Sequence, residues 1–448
     1  MKPNLPKGTR DFLPEQVVRR NYIFNTIQSI FELHGYLPIE TPTMESLSTL
    51  TGKYGEEGDQ LLFKILNNGD FLAKADEESL KTKNSAKLVN TIARRGLRYD
   101  LTVPFARFVV MHQNEIQFPF KRYAIMPVWR ADRPQKGRYQ EFYQCDVDVI
   151  GTKSLVCEAE LIRICDKVFT ELDIKVQIKI NHRKILYGII DQAGLSNSFM
   201  QVTILIDKID KIGKDRVKAQ MVELGWDVKG IETLFSLLEI NDLEELAVRL
   251  EENEEGTTGV NEIRETLSFL SGLELKNDIK LDFSLARGLS YYTGCILEAV
   301  CQDVKMGSVC GGGRYDDLTS NFGLKGVSGV GISFGAERIY DVMEELNMFE
   351  KLQLNQVKIL FLTFDESSKA YAFTWIDALR KHGIAADLYP DNAKLKKQMK
   401  YASNRGVPYV AVIGDSEVES NTFTLKDMES GHQQTVDFNG MVNVLSSI

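Results

Sequence analysis

The chain has 448 residues, 43% of them hydrophobic and 26% charged, with a formal net charge of −9. These proportions predict an ordinary globular protein with more than one core. They exclude a spanning helix, since no run of about 18 apolar residues occurs, and the opening MKPNLPKGTRDFLPEQ lacks the apolar segment of a secretory signal.

Six cysteines (145, 157, 165, 295, 301, 310) form no CxxC pair, which suits reduced thiols better than a disulfide framework or a zinc site. Five histidines (34, 112, 182, 382, 432) show no ligand spacing. An acidic total argues against nucleic acid, but the acid is concentrated. Residues 221–278 carry 15 acidic against 4 basic residues, a local −11 that leaves the remainder at +2.

Pro6, Gly8 and Pro14 give the opening segment turn chemistry. Val18, Tyr22, Ile23, Ile27, Ile30 and Phe31 then recur at helical spacing, predicting an amphipathic helix that Gly35 stops. GYLPIETPTME reads as a strand broken by prolines, hence an edge or interface strand. Residues 76–95 are polar and lysine-rich and are expected to form a mobile loop. LRYDLTVPFARFVV predicts a strand entering a helix.

WRADRPQKGRYQEFYQCDVDVIG, residues 129–151, predicts two strands around a basic loop. Arg130 ends the first strand, and Arg133, Lys136 and Arg138 crowd the loop. Alternation places Gln144, Asp146 and Asp148 on one face, with Cys145, Val147 and Val149 on the other. Fixed cations beside a row of acceptors suit a zwitterionic substrate next to a phosphate. A solvated hairpin with a charged turn reads equally well when the hairpin is taken alone.

SLVCEAELIRICDKVFTEL predicts an amphipathic helix and IKVQIKINH a strand. From about 185 to 277 short helices with acidic faces predict a helical insertion. IKLDFSLARGLSYYTGCILEAV predicts two strands joined near Arg287 and Gly288. Tyr291 and Tyr292, adjacent in the second strand, are expected to face opposite ways. Nine of the 33 glycines fall between Gly307 and Gly335, and Gly311–Gly313 suit a ligand cradle or a tight turn. GVGISFG then enters a helix with Arg338 in its first turn. Beyond a linker near 352–356, VKILFLTF, SSKAYAFTWIDALRKHG, IAADLYP, PYVAVIG and the pair FTLKD/QQTVDF predict a separate α/β unit. There Lys394, Lys397 and Arg405 fall roughly on one helix face, a phosphate-contact stripe or a solvated surface.

Arg130, Arg287 and Arg338 lie at strand or helix ends. A helix N-terminus favours an anion, and an arginine adds a charge-assisted contact. Three together around glycine-rich backbone point to a triphosphate. GVGISFG lacks the spacing of a dinucleotide fingerprint, and no GxxxxGK[ST] loop is present.

Together KGTRDFLP (7–14), GYLPIETPTME, WRADRPQKGRYQEFYQCDVDVIG, LARGLSYYTG, SVCGGGRYDDL and GISFGAERI resemble the class II aminoacyl-tRNA synthetases, specifically the bacterial-type histidyl-tRNA synthetase family, over nearly the whole chain. The resemblance implies an α+β protein. Its catalytic domain, with an antiparallel six-stranded sheet, would occupy 1–184 and 278–350; a helical insertion would occupy 185–277 and an α/β anticodon-binding domain 356–448. It implies a cytoplasmic homodimer that uses ATP with Mg2+, L-histidine and histidine tRNA.

By position, the resemblance gives Arg130 and Arg287 the α-phosphate and the amino-acid carboxylate. Arg338 and Arg138 would take the β- and γ-phosphates, and Phe142 the adenine. Asp100, Thr102 and Gln144 would bind the α-ammonium group, and Asp148, Tyr291 and Tyr292 the imidazole. Arg133 and Gln135 would face the tRNA acceptor end, and Lys394, Lys397 and Arg405 would serve the anticodon domain. Ser290 departs from the family's frequent Asp in RGLDYY, which puts the setting of Arg287 in doubt. A histidine sensor like the regulatory subunit of ATP phosphoribosyltransferase resembles the same catalytic domain; the C-terminal unit and the intact LARGLSYYTG favour the enzyme.

Overall fold

The computed structural model describes residues 2–53, 55–286, 291–351 and 357–446. They form two compact units, Met1–Phe349 and Glu350–Ile448. In the first, helix α1 spans Pro14–Leu33. Pro14 sits in its first turn, where a missing N–H costs little, and Gln16 accepts from the Leu13 N–H at 2.9 Å. Ile23, Ile27, Ile30 and Phe31 are buried along one face, and Gly35 turns the chain at φ 78°. Strand β1 (Leu37–Pro38) follows at the edge of the main sheet, where prolines break no ladder.

Strand β2 (Met44–Ser46), helices α2 (Leu47–Leu50) and α3 (Gly55–Gln60), and strand β3 (Lys64–Ile65) come next. Residues 76–95 are not the expected loop. They contain α4 (Glu77–Lys81) and α5 (Ser85–Ile92), each with a side-chain cap. Asp76 accepts from the Ser79 N–H at 2.8 Å and Asn84 from the Lys87 N–H at 3.1 Å. Lys81, Lys83 and Lys87 are exposed, so the lysine content marks the wet side of this capped segment. Strand β4 (Arg95–Leu97) completes a small sheet of order β2-β4-β3.

Helix α6 (Thr102–Met111) leads to the hairpin β5 (Phe120–Trp129) and β6 (Glu141–Ile150), then α7 (Val156–Glu171) and β7 (Val176–His182). From Arg183 to Leu270 every regular element among the described residues is helical. These are α8 (Arg183–Gln192), α9 (Phe199–Ile206), α10 (Ile209–Ile212), α11 (Lys214–Glu223), α12 (Val228–Leu238), α13 (Leu243–Arg249) and α14 (Glu254–Leu270), with one 3-10 turn. Helices α8 and α14 pack closely because both are glycine at the crossing: a Cβ on Gly188 would lie 2.8 Å from the Gly256 Cα.

Strands β8 (Asp278–Leu281), β9 (Cys295–Cys301), β10 (Cys310–Tyr315) and β11 (Gly329–Gly335) complete the main sheet, of order β1-β5-β6-β11-β10-β9-β7-β8. Its six central strands, β5 to β7 in that order, are antiparallel as expected. Two short parallel edges, β1 on β5 and β8 on β7, widen it to eight. β8 and β9 are consecutive, as expected, and lie on either side of β7; the connection expected near Arg287 and Gly288 falls outside the described residues. On one face Cys145, Val147, Val149 and Phe334 are buried, and Phe31 of α1 and Phe169 of α7 lie 5.8 and 5.7 Å from the Phe334 ring. This back face is the apolar anchor of the sheet, each buried aromatic stabilising it by about 1.5–3 kcal/mol. Helix α15 (Ala336–Glu345) follows β11 directly.

The second unit contains β12 (Ile359–Thr363), α16 (Glu366–Lys381), β13 (Ala386–Leu388), α17 (Leu395–Asn404), β14 (Tyr409–Ile413), α18 (Asp415–Ser420), β15 (Phe423–Asp427), β16 (Gln433–Val436) and α19 (Phe438–Ser446). Its sheet order is β13-β12-β14-β15-β16. The continuous apolar run of β12 is buried throughout, as befits a central parallel strand covered on both faces. No helix among the described residues is long and apolar enough to cross a membrane.

Candidate active site

The open face of the main sheet carries the polar row of β6. Gln144, Asp146 and Asp148 lie opposite Gly335, Ser333 and Gly331 of β11, and opposite Met126, Ala124 and Arg122 of β5. Gly311 and Gly313 of β10 continue the row beyond Ser333 and Gly331. Directly paired residues share a face, so the acids border a floor largely without side chains. Asp148 itself requires that floor: a Cβ on Gly331 would lie 2.0 Å from its Oδ1.

Asp148 is 2% exposed. Tyr315 Oη donates to its Oδ1 at 2.7 Å. Its Oδ2 lies 2.7 Å from Arg122 Nη2, a charge contact without an aligned N–H. Arg122 is fully buried, 4.3 Å from the Phe105 ring centre and 3.9 Å from Asp146. Burial raises Asp148 above the ordinary carboxylate range, with Arg122 opposing. Burial also pushes Asp146 up to about 7, against Arg122 and with the help of Asp148. Gln144 Nε2 donates to Ser333 Oγ at 2.6 Å, while Gln144 Oε1 and Asp146 Oδ1 are buried with no partner. An unmet buried acceptor costs about 1–3 kcal/mol, so these two oxygens mark a place for a donor.

Other expected site residues converge here. Asp100 is buried; its Oδ1 accepts from the Val103 N–H at 3.1 Å and its Oδ2 from Tyr291 Oη at 3.3 Å. Thr102 opens α6 beside it. Tyr291 and Tyr292 lie in the loop before β9, where strand alternation does not operate, so the expectation that one turns away fails. Their rings meet edge-on at 4.8 Å, and a Cβ on Gly313 would lie 3.1 Å from the Tyr292 ring. Burial raises the Tyr292 hydroxyl, keeping it a donor.

Arg130 donates from Nε to the Tyr99 carbonyl at 3.0 Å and stands 5.2 Å from the Phe142 ring centre. Arg338 Nε donates to the Gly137 carbonyl at 2.9 Å and its Nη1 to that of Ser308 at 2.6 Å, clasping the hairpin loop to the segment before β10. Arg138 lies 3.6 Å from Asp132. Arg133 and Gln135 are exposed at the loop tip, where Gly137 turns the chain at φ 70°. Arg287 and Ser290 lie outside the described residues. In the second unit Lys394 and Lys397 are exposed at the start of α17. Arg405 is exposed as well and pairs with Asp387 at 2.7 Å and Tyr401 Oη at 3.1 Å.

The model of the family described as Histidyl-tRNA synthetase matches residues 8–75 and 69–339, and that of the Anticodon binding domain matches 356–448. Histidine–tRNA ligase of Bacteroides fragilis (strain YCH46) is 52% identical over 450 residues, covering 99% of both chains. The chain belongs to the histidyl-tRNA synthetase family. Histidine–tRNA ligase of Porphyromonas gingivalis is 52% identical over 438 residues, covering 97% of this chain and 96% of that one. Among solved structures, histidyl-tRNA synthetase from Nostoc sp. PCC 7120 superposes with a TM-score of 0.84 at 26% identity, covering 100% and 99% of the two chains.

The sequence reading missed Arg122, Tyr315 and Ser333. A visible signal for Arg122 was the adjacent pair Lys121 and Arg122 in the otherwise apolar strand FKRYAIMPVW, which alternation sends to opposite faces. It also missed what KGTRDFLP does in this synthetase fold. Arg10 and Arg20 both pair with Glu337 of α15 at 2.5 Å, and Arg10 lies 3.4 Å from the Tyr139 ring centre. The opening segment thereby ties α1, α15 and the hairpin loop together.

Proposed function

We propose that the chain is a histidine–tRNA ligase whose amino-acid pocket is the β6 row. The observation that carries this is the pair of buried, unpartnered acceptors, Gln144 Oε1 and Asp146 Oδ1, beside Asp148 over a glycine floor. Gln144, Asp100 and Thr102 receive the α-ammonium group. Neutral imidazole carries one N–H and one acceptor nitrogen. Asp148 Oδ2 accepts the former and Tyr292 donates to the latter, with Tyr291 beside them.

Arg130 and Arg287 hold the histidine carboxylate against the α-phosphate. A carboxylate oxygen bonds to the α-phosphorus while its bond to the bridging oxygen breaks, releasing pyrophosphate. Fixed guanidinium groups stabilise the charge that develops. Phe142 stacks on adenine, and Arg138 and Arg338 frame the β- and γ-phosphates. The 3′-hydroxyl of the tRNA then attacks the acyl carbon and AMP leaves. Among the described residues no group of three or more His, Cys, Asp or Glu side chains is placed to hold a metal ion. Mg2+ would come with the triphosphate and partly neutralise its charge.

Arg133 and Gln135 face the acceptor end, and Lys394 and Lys397 the anticodon arm. We read 185–277 as an inserted helical domain, the cytoplasm as the compartment where the charged tRNA is used, and a homodimer as the assembly. Leu33, Leu37 and Met44 lie exposed along or just before the segment resembling the first class II motif, as an interface needs. Histidine-dependent exchange of pyrophosphate into ATP, followed by charging of histidine tRNA, tests the reading. Exchange with histidine alone among the amino acids is expected. Its absence would leave the histidine-sensor alternative.

A further inference from the structure

Among the described residues of the first unit four arginines are nearly or fully buried, and three have conventional structural partners. Arg20 pairs with Glu337 at 2.5 Å. Arg98 donates to the carbonyls of Thr41 and Pro127 at 2.7 and 2.8 Å. Arg314 binds both Glu158 oxygens, Ser328 and two backbone carbonyls. Arg122 differs. It is 0% exposed, yet its hydrogen bond is one long contact to the Leu101 carbonyl at 3.4 Å, and its Nε and Nη1 are buried without partners. Its charge lies 2.7 Å from Asp148 and 3.9 Å from Asp146. Burying a guanidinium so poorly satisfied is costly, and the packing of β5 does not require it.

We propose that Arg122 is a positioning residue for substrate selection: from the strand beside the pocket it keeps Asp148 ionised and turned so that Oδ2 can accept a ring N–H. Asp146 is the second carboxylate in its reach, so the cluster works as a balanced set. The proposal rests on the reading that Asp148 contacts the substrate side chain. Asp148 has two fixed neighbours with distinct tasks. The Tyr315 hydroxyl occupies Oδ1, and Arg122 supplies charge near Oδ2 without spending an aligned N–H on it, which leaves lone pairs there for a ligand. Among the described residues the charged or titratable groups around Asp148 are Arg122, Asp146, Asp100, Tyr36, Tyr291, Tyr292 and Tyr315. Arg122 is the cation of that set.

The test is histidine-dependent pyrophosphate exchange by the full chain carrying Arg122→Met, Arg122→Lys, Arg122→Met with Asp146→Asn, or Asp148→Asn, each checked by thermal unfolding. Arg122→Met should raise the KM for histidine by roughly tenfold or more, leave the KM for ATP unchanged, and move the acidic limb of activity to higher pH. Arg122→Lys should recover part of the loss. The double variant should recover part of it by removing one of the two carboxylates left without a counter-charge. If Arg122→Met does not fold, the lysine and double variants carry the same readouts. Asp148→Asn without effect would sink the underlying pocket assignment. A damaging Asp148→Asn beside Arg122 variants with parental histidine KM and pH profile would overturn the proposal alone.

Discussion

Arg122 and Arg314 occupy opposite faces of the same sheet, and both are buried against carboxylates. Behind the sheet, burial disfavours the Arg314 charge, but Glu158 more than restores it and raises its pKa. Hydrogen bonds from Nε, Nη1 and Nη2 all find acceptors there. On the open face, Arg122 keeps unmet donors, Asp146 and Gln144 keep unmet acceptors, and two carboxylates share one guanidinium. The closed cluster is a structural joint between β10 and α7. In the proposed reading the open one is the amino-acid pocket, its unmet acceptors taking the donors of a zwitterion. Satisfaction of hydrogen bonds, more than burial or charge, separates the joint from the pocket.

Substitutions on the two faces should therefore fail in different ways. The largest loss is expected from Asp148→Asn: histidine-dependent exchange should fall by roughly 10⁴-fold, because a pocket built for an N–H then offers the wrong group. The unfolding temperature should fall less than for Glu158→Gln, since Asp146 remains as a counter-charge for Arg122. Glu158→Gln should do the opposite, removing about 3–5 kcal/mol of stability in a denaturant titration while the KM for histidine holds. A shared effect of both variants on KM would break the distinction.

Gly331→Ala should cost on the order of a hundredfold in kcat/KM, since its Cβ displaces Asp148; parental kinetics would show that the close approach is not needed. A smaller effect concerns pH. Burial raises Asp146 to about 7, so ionising it opposes folding. The stability it permits is full below about pH 4 and lost as pH rises through about 7. In thermal melts Asp146→Asn should gain on the parent across that window and not below it; a constant difference would mean that Asp146 ionises freely. The smallest effect should come from Lys394→Glu with Lys397→Glu, which should raise the KM for tRNA several-fold and spare adenylate formation. Loss of pyrophosphate exchange there would contradict the division of tasks between the units.

Much of this was legible in the sequence. Period-two alternation placed Gln144, Asp146 and Asp148 on one face, and apolar periodicity found α1, α7 and β12. What stayed hidden depended on pairing between distant strands. Tyr315 meets Asp148 only through the β6-β11-β10 order, which no local pattern encodes, whereas Arg122 lies directly across the predicted hairpin and needed only its register. Tyr291 and Tyr292 were assigned strand geometry where the chain forms a loop. In 76–95 two short capped helices were masked by their exposed lysines.

The most direct test of the pocket is a crystal structure of the protein with L-histidine and ATP bound. One imidazole nitrogen should lie within about 3.2 Å of Asp148 Oδ2, with the α-ammonium group beside Gln144 Oε1. A histidine bound with its ring turned away from Asp148, or away from the β6 face altogether, would contradict the account.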